Sequence, residues 1–381
     1  MEHKLVKVFE EENNFNNAAI VLSLDIDEVT FMYHHEINKK LINSCKEVIK
    51  KYRKKISVNF VLIKDEKVEI KKYLDKETVI DISACKYLTA CLFEEAIKQN
   101  LNVIYYDEEE CVIKWYNDRA KKIADIFKLN VNDIIKLGGG KITKKQMHEN
   151  ININDTETTT AIKKTVEANF YKYSGFISFV QRLNSYIAHR KTKDLTYSIS
   201  KEIKYKIQTD EAYKRIKDFG LFRLTDTNLI FMNRDIESLF RVSGAFLENY
   251  LYIILTESKK FDEIEMSSVI DFTTYYEGFP IICEIDMLVT KNNRLLFISC
   301  KSNKVDNSAL FEIKVHNYIL GNKLSSAVMC TLDDLNKTSP STYLKAKELK
   351  IGIVDRTAFI NHSVPSTLLS IMFDTYKYEK V

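Results

Sequence analysis

The chain of 381 residues is long enough for two domains or for two domains and a connector, and its hydrophobic content of 45% argues against a disordered protein. Its 57 Lys and Arg residues nearly balance 53 Asp and Glu residues, so attraction for a polyanion must come from local patches. The seven cysteines form no CxxC pair and sit mostly in apolar runs, which predicts reduced, buried thiols. The N-terminus lacks the apolar core of a signal peptide, and no run approaches the roughly 18 apolar residues of a membrane span. We therefore expect a cytoplasmic protein with no membrane partner.

The first half of the chain alternates short apolar runs with amphipathic stretches. Helical patterns lie at about 36–54 and 84–99. The apolar runs are β-branched or aromatic and predict buried strands at 18–24, 29–33, 58–63, 78–82 and 103–106. This alternation predicts a mostly parallel sheet that is covered on both faces and binds a ligand beyond the carboxyl ends of its strands.

Residues that follow these predicted strands are candidates for that ligand site. Ser83 and Lys86 lie where a strand leads into a helix, and a helix N-terminus offers free N–H groups and a positive dipole end to a phosphate. Asp25 follows the first predicted strand, and His34 follows the second. An N-cap role for Ser83 and a solvated Lys86 explain the pattern about equally well, and loop roles explain Asp25 and His34 better than ligand contacts do.

The segment ININDTETTT is polar, rich in Thr and aperiodic, which places a linker near residue 150. The next part, to about residue 240, is helical and rich in Lys and Tyr, and FGLFRLTDTNLIFMN at its end is typical of a small hairpin of the winged-helix type. Ser243 is positioned to cap a following helix. One face of that helix collects Phe246, Leu247, Tyr250, Leu251 and Ile254.

The segment 281–301, IICEIDMLVTKNNRLLFISCK, predicts a β-hairpin with a polar turn at 291–294. A period of two directs Glu284 and Asp286 to one face of the first strand, and Ser299 and Lys301 to one face of the second. The opposite faces then take the apolar residues Cys283, Ile285, Met287 and Val289 of the first strand and Leu296, Ile298 and Cys300 of the second. Two acids, a serine and a lysine can therefore converge.

Such a cluster suits phosphodiester hydrolysis. Carboxylates hold Mg²⁺ or Mn²⁺, which generates a hydroxide nucleophile and neutralises charge on the phosphate. A lysine stabilises the developing negative charge or positions the attacking water. Glu248, on the preceding helix, is a further candidate ligand. An ordinary solvent-exposed hairpin face has the same pattern, so the motif alone does not distinguish a catalytic site from such a face.

These features resemble the CRISPR-associated ancillary nucleases of type III systems, which join an N-terminal CARF domain to a PD-(D/E)xK nuclease domain. Residues 81–107 resemble the CARF order of a strand, a Ser/Thr-x-x-Lys turn opening a helix, and a strand ending near an acid. Residues 243–252 resemble the helix that enters the nuclease domain. EIDML followed by FISCK resembles the nuclease metal site.

The resemblance implies an α/β protein with a Rossmann-like CARF sensor domain at 1–148, a helical, winged-helix-like connector at 149–238 and a restriction-endonuclease-like α/β domain at 239–381. It implies a catalytic set of Asp286, Lys301, Glu284, Glu248 and Ser299, of which Asp286, Glu284 and Glu248 hold the metal. Sensor contacts are implied at Ser83, Ala84, Cys85, Lys86 and Asp107, to which Asp25 and His34 are added by their positions after predicted strands.

The activity implied by the resemblance is Mn²⁺- or Mg²⁺-dependent cleavage of single-stranded DNA or RNA, or of plasmid DNA, in antiviral defence. A homodimer would clasp one cyclic oligoadenylate, most commonly cyclic tetra-adenylate, as activator. The chain departs from the family's Glu-x-Lys, because it has Ser299 and Cys300 before Lys301. Either Glu284 and Glu248 supply the missing carboxylate or the site is weakened. Two alternatives stay open: a ligand-controlled regulator that grips nucleic acid with residues 157–240, and a restriction-type endonuclease without a second messenger.

Overall fold

Three β-sheets organise the part of the chain that the computed structural model describes, namely residues 4–65, 69–118, 121–145, 151–188, 194–242, 244–273, 279, 281–302, 305–319 and 325–374. The first sheet contains β1 Lys4–Val8, β2 Glu28–Tyr33, β3 Ser57–Leu62, β4 Thr78–Asp81, β5 Asn102–Asp107, β6 Val112–Trp115 and β7 Lys122–Asp125. The second contains β8 Lys141–Lys145, and a third, smaller sheet contains β9 Thr196–Ser198, β10 Phe222–Leu224 and β11 Asn228–Phe231. The second sheet is completed by β12 Glu263–Asp271, β13 Ile282–Lys291, β14 Arg294–Lys301, β15 Ser325–Thr331 and β16 Ile351–Val354.

The first sheet has the order β3-β2-β1-β4-β5-β6-β7, and its strands β1 to β5 are parallel. Its faces are covered by α1 Asn14–Ser23, α2 Lys39–Tyr52, α3 Tyr87–Gln99 and α4 Val131–Leu137. The strands predicted at 29–33, 58–63, 78–82 and 103–106 are present, as are both predicted helices. This domain is therefore Rossmann-like, as the sequence predicted.

The strand predicted at 18–24 is wrong, because most of this segment belongs to helix α1. Its apolar residues are buried on all sides of the helix, and periodicity cannot distinguish such a helix from a buried strand. The first strand is instead β1, with the sequence KLVKV. Asp25 consequently follows a helix and precedes β2, which places it at the amino edge of the sheet and away from the predicted ligand edge.

The connector region holds α5 Thr156–Glu167, α6 Tyr173–Ile187, α7 Lys201–Thr209, α8 Glu211–Ile216 and α9 Arg234–Leu239 around the small sheet. That sheet is antiparallel, with the order β10-β11-β9. Strands β10 and β11 form the hairpin that FGLFRLTDTNLIFMN predicted.

The second sheet has the order β16-β15-β14-β13-β12-β8. Strands β14, β15 and β16 are parallel, and the remaining pairs are antiparallel. Its helices are α10 Ala245–Ser258, α11 Asn307–Ile319, α12 Leu335–Thr338, α13 Pro340–Glu348, α14 Arg356–Ile360 and α15 Val364–Asp374. Helix α10 is the helix predicted after residue 243, although Ser243 itself lies outside the described residues. Strand β8 falls within the predicted range 1–148 but pairs with β12 of the second sheet.

One hydrophobic core joins the first and second sheets. Side chains of α1, α2 and α4 pack with Ile270, Phe272, Leu288, Leu295 and Phe297 of the second domain. Since a large apolar interface suppresses free domain motion, the two sheets behave as coupled bodies.

A buried ion pair lies at the centre of the first sheet. Lys7 on β1 and Asp81 on β4 are register partners, with Nζ and Oδ2 2.8 Å apart and side chains exposed by only 2% and 1%. Asp81 also accepts a hydrogen bond of 2.9 Å from the Ser83 N–H. The pair thus fixes the start of the turn that leads from β4 to α3.

Lys7→Met is expected to lower the free energy of unfolding by about 3–5 kcal/mol, because it leaves the Asp81 charge buried without its partner. The control is Lys4→Met on the same strand. Asp75, the partner of Lys4, is 47% exposed, so loss of this exposed pair should change the free energy of unfolding far less. Urea unfolding of both variants measures the difference. Equal effects of the two substitutions would contradict the assignment of a buried pair.

Candidate active site and ligand-binding edge

The hairpin predicted at 281–301 is formed by β13 and β14. Lys291 pairs with Arg294, so the turn consists of Asn292 and Asn293, with φ of 51° and 62°. A two-residue turn with both φ values positive matches the twist of antiparallel strands, and Asn tolerates that backbone region.

The apolar alternation of β13 breaks at Asp286. Met287 and Val289 pack in the core that contains α10, whereas Cys283 and Ile285 pack in the core shared with the first domain. The prediction that these four residues share one face is therefore wrong. In the neighbouring strand β12 the irregular residue is Ser267, which has φ of 49° and lies between the partners of Met287 and Ile285. Local irregularity of this kind re-aims side chains beside functional sites.

Asp286 is held from the facing strand by two donors. Its Oδ2 accepts hydrogen bonds from the Cys300 N–H at 2.7 Å and from the Ser299 hydroxyl at 3.2 Å. Burial raises the pKa of Asp286, although these donors and nearby Lys301 oppose that change. Ser299 therefore orients Asp286 through this hydrogen bond. This role does not require the serine to be a metal ligand.

Glu248 lies in the first turn of α10 and faces the same site. Burial, and secondarily the Asp286 charge, raises the pKa of Glu248 to about 8, while Lys301 opposes the increase. A Cβ atom at Gly244 would lie 2.7 Å from Glu248 Oε1. Glycine at 244 thus leaves room for the Glu248 carboxyl to fold back over the start of the helix.

Helix α11 adds two residues that the sequence analysis did not assign to the site. Glu312 Oε2 lies 3.8 Å from Lys301 Nζ, and His316 lies one helical turn further on. Burial lowers the pKa of His316. An acid and a histidine four residues apart, in the segment that follows the hairpin, were the available sequence signal. A cavity of about 150 Å³ is lined by Glu284, Ile285, Asp286, Ile298, Ser299, Lys301, Glu312, Ile313 and His316.

Among the described residues, no three His, Cys, Asp or Glu side chains are grouped closely enough to hold a metal ion. The implied ligands Asp286, Glu284 and Glu248 are accordingly not gathered into one cluster, and their roles stay predictions. The buried carboxyls of Asp286 and Glu248 interact, however, and Mg²⁺ commonly uses only one or two protein carboxylates together with water and substrate phosphate. This donor set fits a hydrated divalent cation.

Hydroxyl groups from two other elements lie beside Glu248. Tyr173, at the start of α6, is buried next to Glu248 and Ser302. The Tyr173 hydroxyl lies within reach of Ser302 and of the Leu247 backbone, although among the described residues neither hydroxyl makes a hydrogen bond of good geometry. Buried polar atoms without such partners are compatible with a site that binds water or a hydrated ion.

The carboxyl edge of the first sheet brings together most of the predicted sensor residues. The Ser83 hydroxyl is engaged internally, since it donates to Asp81 and accepts from the Tyr106 N–H at 2.8 Å. Ala84 is buried, whereas Cys85 and Lys86 are exposed just before α3. The ring of His34, which follows β2, lies 6.2 Å from the ring of Tyr87, the first residue of α3. All seven cysteines are free, and the exposed Cys85 departs from the expectation of buried thiols.

Asp107 and Asp25 have structural partners. Asp107 ends β5 at this edge and accepts a hydrogen bond of 3.0 Å from Lys114. Burial alone would favour its neutral form, but hydrogen bonds from the Glu110 N–H and Lys114 keep the pKa of Asp107 below its usual value. Asp25, at the opposite edge, is 93% exposed and pairs with Arg53 at 3.2 Å.

No protein-family model and no curated protein sequence matches the chain. Solved structures do match its fold. The Vibrio cholerae protein VC1899 has a TM-score of 0.75 at 13% identity, with coverage of 97% of this chain and 99% of that chain. Can2 from Sulfobacillus thermosulfidooxidans, in complex with cyclic tetra-adenylate, has a TM-score of 0.67 at 13% identity, with 97% of both chains covered.

A type III CRISPR defence DNA nuclease activated by cyclic oligoadenylate has a TM-score of 0.51 at 12% identity, and the match covers 87% of this chain but 45% of that one. These likenesses establish a shared fold: a Rossmann-like domain joined to a second α/β domain over nearly the whole chain.

In the described ranges no helix combines the length and the apolar character needed to cross a membrane.

The raised pKa of Glu248 predicts a pH-dependent stability. Unfolded Glu loses its proton near pH 4.3, whereas folded Glu248 holds its proton up to about 8. The free energy of unfolding should therefore fall as pH rises from about 5 to 8, because the unfolded chain binds fewer protons. Glu248→Gln should remove the part of this slope that Glu248 contributes and be more stable than the wild-type protein by a few kcal/mol at about pH 8.5.

Urea unfolding in chelator-containing buffer at about pH 5 and about pH 8.5 measures the slope for each protein. Glu348→Gln, which alters a 72% exposed acid of the same domain, is the control and should keep the wild-type slope. A wild-type protein with equal stability at both pH values contradicts the burial of an ionisable Glu248.

Proposed function

We propose that the protein is a metal-dependent nuclease that a cyclic oligoadenylate activates in type III CRISPR antiviral defence. The observation that carries the proposal is the convergence of Asp286, Glu248 and Lys301 at the open end of one hairpin. Can2, bound to cyclic tetra-adenylate, has this fold over 97% of its chain, which supports the same activator class. The similarity to a DNA nuclease that cyclic oligoadenylate activates supports a phosphodiesterase.

In this mechanism Asp286 and Glu248 would hold Mn²⁺ or Mg²⁺. A bound divalent cation supplies Lewis-acid stabilisation of a phosphate and lowers the pKa of a water. Ser299 and the Cys300 N–H fix the orientation of Asp286 through their hydrogen bonds. The Lys301 ammonium neutralises the negative charge that grows on the phosphate during cleavage. Glu312, 3.8 Å from Lys301, restrains that lysine at the mouth of the cavity.

The activator site of the proposal lies at the carboxyl edge of the first sheet. Lys86 and the backbone N–H groups at the start of α3 would bind a phosphate, and His34 and Tyr87 provide rings at the same edge. Two copies would face each other across a two-fold axis, because a two-fold symmetric ring suits an isologous interface. The cell compartment we propose is the cytoplasm, where type III systems act.

Cleavage of labelled single-stranded DNA, single-stranded RNA and plasmid, with Mn²⁺ or Mg²⁺ and with or without cyclic tetra- or hexa-adenylate, tests this function. Asp286→Ala and Lys301→Ala should each reduce the cleavage rate by about 100-fold or more, as loss of a charge-stabilising group does. The control Lys337→Ala removes a lysine that is 81% exposed and should cleave like wild type.

Cutting that needs the cyclic nucleotide supports the sensor-nuclease function and identifies its substrate. Activator binding without cutting would favour the ligand-controlled regulator, and cutting without activator would favour the restriction-type enzyme.

Lys86→Ala is expected to weaken binding of cyclic tetra-adenylate by about tenfold or more, because a hydrogen bond to a charged group contributes about 1.5–3 kcal/mol. Lys98→Ala is the matched control, since Lys98 lies near the other end of α3, is 57% exposed and pairs with Glu94. Isothermal titration calorimetry compares the dissociation constants. Equal weakening by both substitutions would indicate a diffuse charge effect and remove Lys86 from the site.

A further inference from the structure

Helix α2 connects the predicted activator edge to the second domain. It begins after the loop that follows His34, with the Asn38 side chain as its N-cap, and its 14 residues span about 20 Å. At its far end the Lys51 ammonium lies 2.9 Å from both carboxylate oxygens of Asp133, and the Tyr52 hydroxyl lies 2.5 Å from one of them. Helix α2 is therefore tied to helix α4, which carries Asp133.

Helix α1 fastens the same two helices together. The buried Asn14 amide donates to the Leu41 carbonyl of α2 at 3.2 Å and to the Leu137 carbonyl of α4 at 2.9 Å. The Ser23 hydroxyl, at the end of α1, accepts from the Phe127 N–H at 2.7 Å. Helices α1, α2 and α4 thus form one hydrogen-bonded layer.

The segment before α4, residues 127–129, is hydrogen-bonded to Asn293 in the turn of the catalytic hairpin. The Asn293 side chain accepts from the Leu129 N–H at 2.8 Å and donates to the Phe127 carbonyl at 2.8 Å. Asn293 is only 2% exposed, so both bonds are shielded from water. Asp262 reinforces the junction by binding the Asn292 N–H at 2.7 Å and Lys128 at 2.8 Å.

The turn and the proposed site lie at opposite ends of one hairpin. Asp286 precedes Asn293 by seven residues, which is about 23 Å along a strand, and Lys301 ends the facing strand β14. Both strands lie inside a hydrogen-bonded sheet, so the turn cannot shift without moving the hairpin. A contact at the turn can therefore affect the geometry of Asp286 and Lys301.

We propose that Asn293 is a positioning residue, through which the layer of α1, α2 and α4 transmits activator binding to the catalytic hairpin. This inference rests on the proposed function and adds to it the route by which the site is regulated. Asn293 touches neither substrate nor metal in the proposal. Its effect on cleavage is exerted through Asp286 and Lys301.

The turn offers a matched pair of substitutions. Asn292 and Asn293 have φ of 51° and 62°, so glycine fits either backbone position without strain. Asn293→Gly removes both side-chain hydrogen bonds to the first domain. Asn292→Gly makes the same change in backbone freedom while keeping the Asn292 N–H bonded to Asp262.

The experiment uses the full-length protein and its two glycine variants. Calorimetry measures the binding of cyclic tetra-adenylate, and cleavage assays give the ratio of rates with and without it. Hydrogen exchange of peptides from 282–301, measured with and without activator, reports whether activator binding changes the hairpin, independently of cleavage activity. Asn293→Gly should still bind the activator, but the activator should no longer change hydrogen exchange in the hairpin. The activation ratio should fall by about 5- to 150-fold, the range typical of allosteric coupling. Asn292→Gly should match wild type in all three measurements.

Activator binding by Asn293→Gly also shows that the variant has folded. Normal binding with a wild-type activation ratio and exchange response in Asn293→Gly overturns the inference and leaves the proposed function intact. An equal loss in Asn292→Gly also overturns it, because the effect would then come from turn flexibility. Absence of cyclic oligoadenylate binding by the wild-type protein overturns the proposed function and the inference with it.

Discussion

Apolar side chains of helices α1, α2 and α4 pack against Phe272, Leu288 and Phe297 of the second sheet in one continuous core. Burial of these side chains removes apolar surface from water and opposes independent motion of the two sheets. The polar groups within it, such as the Asn293 amide, must then find internal partners because water cannot reach them. The packing and the hydrogen bonds of the junction therefore support each other.

In the proposed site of the second domain, by contrast, the buried charged groups do not fully compensate one another. Burying Glu248 beside Asp286 disfavours the charged form of both acids, and Lys301 offsets only part of that effect. A site of this kind is electrostatically incomplete in the protein alone, which suits the binding of a cation. Gly244 and the donors to Asp286 keep the two carboxyls in place despite the cost. In the first sheet, by contrast, the buried charges of Lys7 and Asp81 neutralise each other in an ion pair.

Local sequence patterns predicted much of the fold. The strands at 29–33, 58–63, 78–82 and 103–106 and the hairpin turn at 291–294 are all present, because their periodicity and turn residues act over a few neighbours. The segment 18–24 was assigned wrongly, because a helix buried on all sides has no polar face to show its period. Asp25 was misplaced as a consequence. The irregularity beside Asp286 was likewise invisible, since it depends on the neighbouring strand β12.

The sequence by itself determined the mostly parallel α/β character of the first domain, the hairpin that carries Asp286 and Lys301, and the chemical character of that hairpin. These features follow from residue spacing and intrinsic preferences that act within one or two elements. Only the tertiary structure brought Glu312 and His316 to the hairpin, engaged Ser83 internally, and joined Asn293 to residues 127 and 129. Those contacts link parts of the chain that are far apart in sequence. Their formation depends on how helices and sheets pack, and no local pattern encodes that packing.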